Sequence, residues 1–336
     1  MKINFNQFIN RLLQTIPVVI GVTLIVFSLM HLTPGDPVEI MMGQGTVTEG
    51  EIQRIREELG LHLPLPVQYL RFITGIVKGD LGYSIYYRQP AREVIFSRLP
   101  ATFESMVVAM IISLAIALPV GIISAVRQYS LLDKIGTIGA LLGVSMPGFW
   151  LGLLLIMAFS VNWIFPVAGR IGFGMAPQRI TGLYLLDSIL TCNWFSFWNA
   201  LKHILLPAVT LGMSMAALTM KTIRSSMLEV IREDYITFAR AKGLSRSQVV
   251  LKHALKNALI PTITVITLNM GVLLGGNMIV ETVFGWPGLG SLVVNAIFNR
   301  DYPLVQASVL IYAVTFIICN LLADFLYTVL NPRVKF

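Results

Sequence analysis

The sequence predicts an all-α fold of six transmembrane helices, and three observations predict it. Of 336 residues, 55% are hydrophobic and only 12% charged, against roughly a quarter charged in a soluble protein. Uncharged stretches of about 20 residues or more, enough to cross a bilayer as helix, recur along the chain. Lys and Arg gather in short segments between them, as they do in cytoplasmic loops. Those loops account for the net charge of +8, so no nucleic-acid partner is implied. Cys192 and Cys319 form neither a disulfide framework nor a metal site. Residues 1–336 read as one transmembrane domain.

Met1–Arg11 is short and basic, with Phe5, Phe8 and Ile9 giving it an apolar side. Leu12–Gly35 carries no charged residue and makes the first span. A signal peptide would have about 7–15 apolar residues and a small-residue cleavage site. Leu29-Met30-His31-Leu32 offers none, so an anchor with the N-terminus inside is expected. Pro34-Gly35-Asp36-Pro37 ends the span, and residues 36–99 form an extracytoplasmic insert. In it, Thr48 with Glu51 makes a capping box for a helix that Gly60 closes. Pro64 and Pro66 open an amphipathic helix through Val77, stopped by Gly79. The insert holds seven Lys or Arg, but loops this long largely escape the positive-inside rule.

Span two is Ser105–Val126, with a kink expected at Pro119-Val120-Gly121. A basic turn, Arg127–Lys134, follows inside. Ile135–Gly169 is uncharged for 35 residues, too short for two spans with a loop. One long span is expected, bent at Ser145-Met146-Pro147-Gly148 and marked at its outer end by Trp163. Arg170–Lys202 lies outside, where Trp194, Phe195, Phe197 and Trp198 form an interfacial belt. Span four begins near Ile204 and ends at Lys221 and Arg224. Span five covers Ala258–Val280, Glu281–Asp301 returns outside, and span six is Tyr302–Leu330. Inner segments hold 14 Lys or Arg and outer loops 11, seven of these in the long insert. The short loops, where the rule applies, put both termini in the cytoplasm.

Between spans four and five lies the most charged stretch, Glu229–Pro261, EVIREDYITFARAKGLSRSQVVLKHALKNALIP. Its excess of Lys and Arg places it at the cytoplasmic face. Residues from about Met227 to Lys242 are helix formers, and Gly243 is a natural C-terminal stop, since a left-handed residue costs Gly nothing. Ser245 offers an N-cap and Gln248 completes a capping box for a second helix that Pro261 disturbs. Two helices thus meet at a Gly-Leu-Ser turn, a shape suited to a partner's groove.

Asp234-Tyr235, Ala239-Arg240-Ala241-Lys242-Gly243-Leu244 and His253-Ala254-Leu255-Lys256-Asn257-Ala258-Leu259-Ile260-Pro261 resemble the coupling loop of ABC importer permeases. Phe238 and Thr237 stand where that motif has a small and an acidic residue; the Ala-Arg-Ala-Lys-Gly core is similar to the peptide-transporter branch. Further segments resemble the first of two paired permeases of the dipeptide, oligopeptide and nickel group. They are Arg11-Leu12-Leu13, Ile16-Pro17, Gly21-Val22 and His31 through Pro37; Gly79-Asp80-Leu81-Gly82-Tyr83-Ser84; Arg98-Leu99-Pro100-Ala101-Thr102; Glu281 through Gly290; and Arg300-Asp301-Tyr302-Pro303. The resemblance implies a type I permease in a bacterial inner or plasma membrane. Its implied partners are a second homologous permease, two ABC ATPase subunits gripping residues 229–261, and an extracytoplasmic binding protein that delivers peptide. The implied cargo is a dipeptide or oligopeptide, with nickel chelate, glutathione or another small solute as alternatives.

The chain has no G-x-x-x-x-G-K-[S/T] phosphate loop, so it is not an ATPase; ATP and Mg belong to partner subunits, and the chain binds no cofactor of its own. It has no H-E-x-x-H. Gly212-Met213-Ser214-Met215-Ala216 faintly resembles an intramembrane serine protease site, but no His lies in a central span, and a small-residue helix contact explains it better. Ionisable residues in spans are costly and usually functional; Glu281 and Asp324 qualify, and both also suit interfacial water. Asn269 and Asn277 fall roughly on one helical face, where they could hydrogen-bond a peptide backbone or a neighbouring helix. A secondary transporter would carry an internal repeat and more buried ionisable residues; neither is visible.

Overall fold

The computed structural model describes residues 5–32, 60–160, 165–274 and 278–330, with isolated positions between 50 and 57. Side chains of 5–14, 29–32, 160, 274 and 322–330 are outside the description. The elements are almost entirely helical. In order they are α1 Phe5–Leu32, α2 Leu65–Val77, the strands β1 Tyr83–Ser84 and β2 Gln89–Pro90, α3 Ala91–Val126, α4 Leu131–Ser145, α5 Gly148–Ser160, α6 Tyr184–Leu190, α7 Trp194–Val230 and α8 Asp234–Ala241. Then α9 Arg246–Gln248, a π-helical turn Val249–Ala254 and α10 Leu255–Leu274 run on as one rod. The chain ends in α11 Met278–Val283, α12 Leu289–Phe298 and α13 Tyr302–Leu330. Among the described residues, four helices are each long and apolar enough to cross a membrane, and the pair α4–α5 makes five if it is one span. The sixth expected span falls in α1, whose side chains are only partly described.

The chain divides into two compact units. The first comprises residues 1–99 and 288–315. Here α2 begins after Pro64, with Pro66 in its first turn, where a missing N–H is harmless, and ends before Gly79 at φ +80°. Both boundaries agree with the sequence. Tyr69 and Phe72 of α2 meet α1 at Phe27, and the Tyr69 and Thr23 hydroxyls are 3.0 Å apart. Gly60 has φ +67°, as a helix-closing glycine requires; the Thr48–Glu51 box lies outside the described residues. The strands pair antiparallel, Tyr83 with Pro90 and Ser84 with Gln89. They are held by Asp301, fully buried at the start of α13. Its carboxylate accepts from the Ser84 hydroxyl, from the Tyr86 amide at 3.1 Å and from the Leu304 amide at 3.3 Å. Two of the motif segments noted in the sequence therefore meet in one buried hydrogen-bond cluster.

The second unit, residues 100–287 and 316–336, is built around α7, most of whose apolar stretch is buried. Helices α3, α4, α5 and α10 pack against it. A Cβ on Gly212 would sit 2.7 Å from the Ala109 carbonyl, so α3 and α7 touch backbone to backbone. One apolar cluster gathers around Phe284, Trp286, Ile204 and Ala109, and another around Ile223, Met227, Ile236 and Ala254. Trp286 donates its indole N–H to the Ala101 carbonyl at 3.0 Å.

Several expectations are corrected here. The basic turn is shorter than 127–134, because Ser130 caps α4 by accepting from the Asp133 amide. The bend expected at Ser145-Met146-Pro147-Gly148 is present and sharp: α4 and α5 meet at 107° across Met146-Pro147. Pro147 has no N–H to continue the ladder and disfavours the helical conformation at the residue before it; Met146 is extended here, ψ 124°. Helix α3 starts at Ala91 rather than Ser105 and runs through Pro100 and Pro119. Helix α7 starts at Trp194, where Asn193 accepts from the Ser196 amide, rather than near Ile204. The Glu281–Asp301 loop contains α12 and the end of α11. Span six, Tyr302–Leu330, matches α13.

Candidate functional site

The hairpin between α7 and α10 carries an exposed, charged surface of the second unit. Helix α7 ends at Val230, and a turn at 231–233 precedes α8, so the helix expected over 227–242 is broken. Burial explains the break. Ile236 is fully buried and Ala239 is 6% exposed, and both pack with Ile223, Met227, Val249 and Ala254. The redirected α8 turns that short apolar face onto the base of α7.

Gly243 follows α8 at φ +78°, and Ser245 and Gln248 form both halves of a capping box. Both features agree with the sequence. A Cβ on Gly243 would have no atom within 4 Å, so backbone angle alone demands glycine there. The second helix does not stop at Pro261; α10 continues to Leu274. Pro261 removes one hydrogen bond, and in an apolar stretch ending the helix would leave many more groups unpaired. The preceding π-turn adds one residue to the helical circuit.

Arg246 ties the hairpin to α3 by donating to the Val126 carbonyl at 3.0 Å. The Asn257 amide donates to the Tyr235 hydroxyl at 2.6 Å, joining the two arms. At the base of α7, Arg224 grips the nearly buried Asp133 of α4 through two hydrogen bonds, at 2.7 and 2.9 Å.

Asp234, Tyr235, Arg240, Ala241, Lys242, Gly243 and Leu244 are all exposed on this hairpin, whereas Ala239 faces inward and supports it. Phe238, 60% exposed, joins them, with the Lys242 ammonium 4.5 Å from its ring. The surface is therefore apolar at Phe238 and charged around it, with Arg240 and Lys242 on one side and Glu233 and Asp234 at the start of α8. Phe238 stood out in the sequence only as a departure from the motif, and Ile236 was missed. Each carries the signal only through the helical period that puts Ile236 and Ala239 on one side of α8 and Phe238 on the other.

The residues considered for a translocation path separate. Asn269 lies on α10, and its side-chain nitrogen is buried without a hydrogen-bond partner among the described residues. Asn277 lies outside the described residues. Glu281 is 3% exposed on α11 and accepts from the Thr102 hydroxyl at 2.8 Å. The Asp324 side chain is likewise outside the description. A second buried carboxylate, Glu104, pairs with Arg170 at 2.7 Å, and Arg170 also donates to the Gly182 carbonyl and lies 3.7 Å above the Tyr184 ring. Among the described residues no group of three His, Cys, Asp or Glu could hold a metal.

Comparison with known proteins agrees with this architecture. Residues 117–336 match the family "Binding-protein-dependent transport system inner membrane component", and residues 4–107 match its N-terminal family. The chain is 45% identical to the dipeptide transport system permease protein of Escherichia coli (strain K12), covering 98% of each chain. It is 43% identical to the di/tripeptide transport system permease protein of Pseudomonas aeruginosa, covering 97% of each. It is 40% identical to the glutathione transport system permease protein of Pectobacterium atrosepticum, covering 98% of this chain and 99% of that one. The chain is a multi-pass membrane protein that belongs to the family of binding-protein-dependent transport system inner membrane components.

Proposed function

We propose that this chain is one of two membrane subunits of an ATP-driven ABC importer of peptides. The observation that carries the reading is the hairpin: an exposed apolar and charged surface, turned at Gly243 and fastened to α3 and α7. Near-full-length similarity to permeases named for dipeptides and di/tripeptides supports the cargo. A second homologous permease completes the pore. Two ATPase subunits bind ATP and Mg and seat on the hairpins, while this chain binds no cofactor. An extracytoplasmic binding protein delivers the peptide on the side of residues 36–99, and both termini are cytoplasmic. ATP-driven closure of the ATPases biases the pore between outward and inward access, as a ligand biases any two-state equilibrium. Asn269, Asn277 and Glu281 contribute to the path, Asn269 through a side-chain amide that has no hydrogen-bond partner among the described residues.

The glutathione permease similarity favours a second cargo in the same machine, a modified short peptide. Uptake distinguishes them. The chain is reconstituted in vesicles with its paired permease, ATPases and candidate binding protein, and offered labelled dipeptide, oligopeptide, glutathione or nickel. ATP-dependent accumulation of dipeptide or oligopeptide is expected. Accumulation of nickel alone, or of none of them, overturns the proposed cargo.

A further inference from the structure

An apolar groove runs along α4 where it meets α3 and α7. Its inner part, about 310 Å³, is walled by Ile116, Val120, Gly139 and Met213, with Ser124 as its single polar wall residue besides methionine sulfur. A second cavity of about 530 Å³ adjoins it at the hairpin end, and both share Ile123 and Leu132. The character changes in this second part. Arg127, from the end of α3, and Arg246, from the start of α9, line the same cavity as Val250 and Leu251. The groove is thus a long apolar slot with two guanidinium groups at one end.

Those two cations are not spoken for by carboxylates. Neither Arg127 nor Arg246 makes an ion pair among the described residues, and both are exposed. The nearby carboxylate of Asp133 is committed to Arg224. The Arg246 guanidinium donates to the Val126 carbonyl through one nitrogen only, leaving further donors. An apolar helix of another subunit could fill the slot, but the two guanidinium groups at its end call for an anion. The basic leading segment of another copy, with Lys2 and Arg11, would be repelled by them.

We propose that this groove binds an anionic phospholipid. The phosphate sits on Arg127 and Arg246, and an acyl chain lies along the slot past Leu132 and Gly139. A basic pocket where helices meet the membrane surface, with an apolar run below it, is the chemistry that holds acidic headgroups. Guanidinium suits it, since it offers paired donors to phosphate oxygens. The proposal rests on the hairpin lying at the membrane surface, part of the function proposed above. Its test measures binding and not transport, so either idea can fail alone.

The purified complex in mild detergent is titrated with phosphatidylglycerol and with phosphatidylcholine of the same chains, and bound lipid is counted by native mass spectrometry. At least a tenfold preference for phosphatidylglycerol is expected. The double variant Arg127→Gln with Arg246→Gln removes that preference. Gly139→Trp enters open space in the apolar wall and weakens both lipids severalfold while leaving the arginines. If the double variant does not assemble, Arg127→Gln alone, at an exposed side chain, reduces the preference. Equal binding of the two lipids overturns the proposal. So does an unchanged preference in the arginine variants. Near-complete cross-linking of a Leu132→Cys variant to the second membrane subunit in native vesicles also overturns it, because protein and not lipid then covers the groove.

Discussion

Asp187 shows how a single side chain organises the segment between α5 and α7. Burial alone would raise its carboxyl pKa. The hydroxyl and amide of Thr181, with the amides of Ile180 and Gly182, outweigh burial and hold it below the ordinary aspartate value. A carboxylate with a depressed folded pKa stabilises the fold above its unfolded value, about 3.9. That contribution is lost as pH falls through the lower folded value. The difference in Tm between the protein and Asp187→Asn is therefore expected to be constant above about pH 4 and to shrink below it; a difference independent of pH would contradict the assignment. Asp187 could not be picked out from sequence, because its loop partners look like any polar turn. Glu281 shows the same limit. In sequence it is a lone acid at the end of a span, whereas in the structure Thr102, 179 residues away, donates to it.

Among elements, the local signals were legible and the long-range ones were not. Gly243, the Ser245–Gln248 box, Gly79 and the start of α2 all depend on neighbours within a few residues, and each is where the sequence places it. The break at 231–233 depends on a core that Ile236 and Ala239 share with α7, so no local propensity announces it. The same holds for α10 continuing past Pro261, where the apolar surroundings outweigh a single lost hydrogen bond. The α4–α5 corner lies between these cases: Pro147 marks its position, but nothing local sets 107°. The contact of α3 with α7 gives an element-scale prediction. Gly212→Leu must push apart two backbones already touching at Ala109, at a cost of about 1–3 kcal/mol. Gly139→Leu enters open space. A Tm lowered by the first and unchanged by the second is expected in detergent. Equal effects would contradict the close approach.

For the whole molecule, the family assignment rests on both halves of the chain, since the two matched regions together span 4–107 and 117–336. Several motif segments that signal the family turn out to hold the fold together. Asp301 joins the 79–84 and 300–303 segments, and Trp286 with Glu281 joins the 98–102 and 281–290 segments. The hairpin is different. Arg246, Tyr235 and Asn257 fasten its arms and Ile236 and Ala239 fill its interior, while Phe238, Lys242 and Gly243 stay exposed on an outer face open to a partner. The central claim is that this face couples the membrane subunit to an ATPase. Gly243→Glu tests it most directly, because the open space around Gly243 confines the damage to backbone strain of about 1–2 kcal/mol and to the docking face. The variant is expected to insert in the membrane at normal levels with its paired permease, while the ATPase subunits no longer co-purify and ATP-dependent uptake falls at least tenfold. Normal ATPase co-purification and uptake in a fully inserted Gly243→Glu variant would contradict the claim.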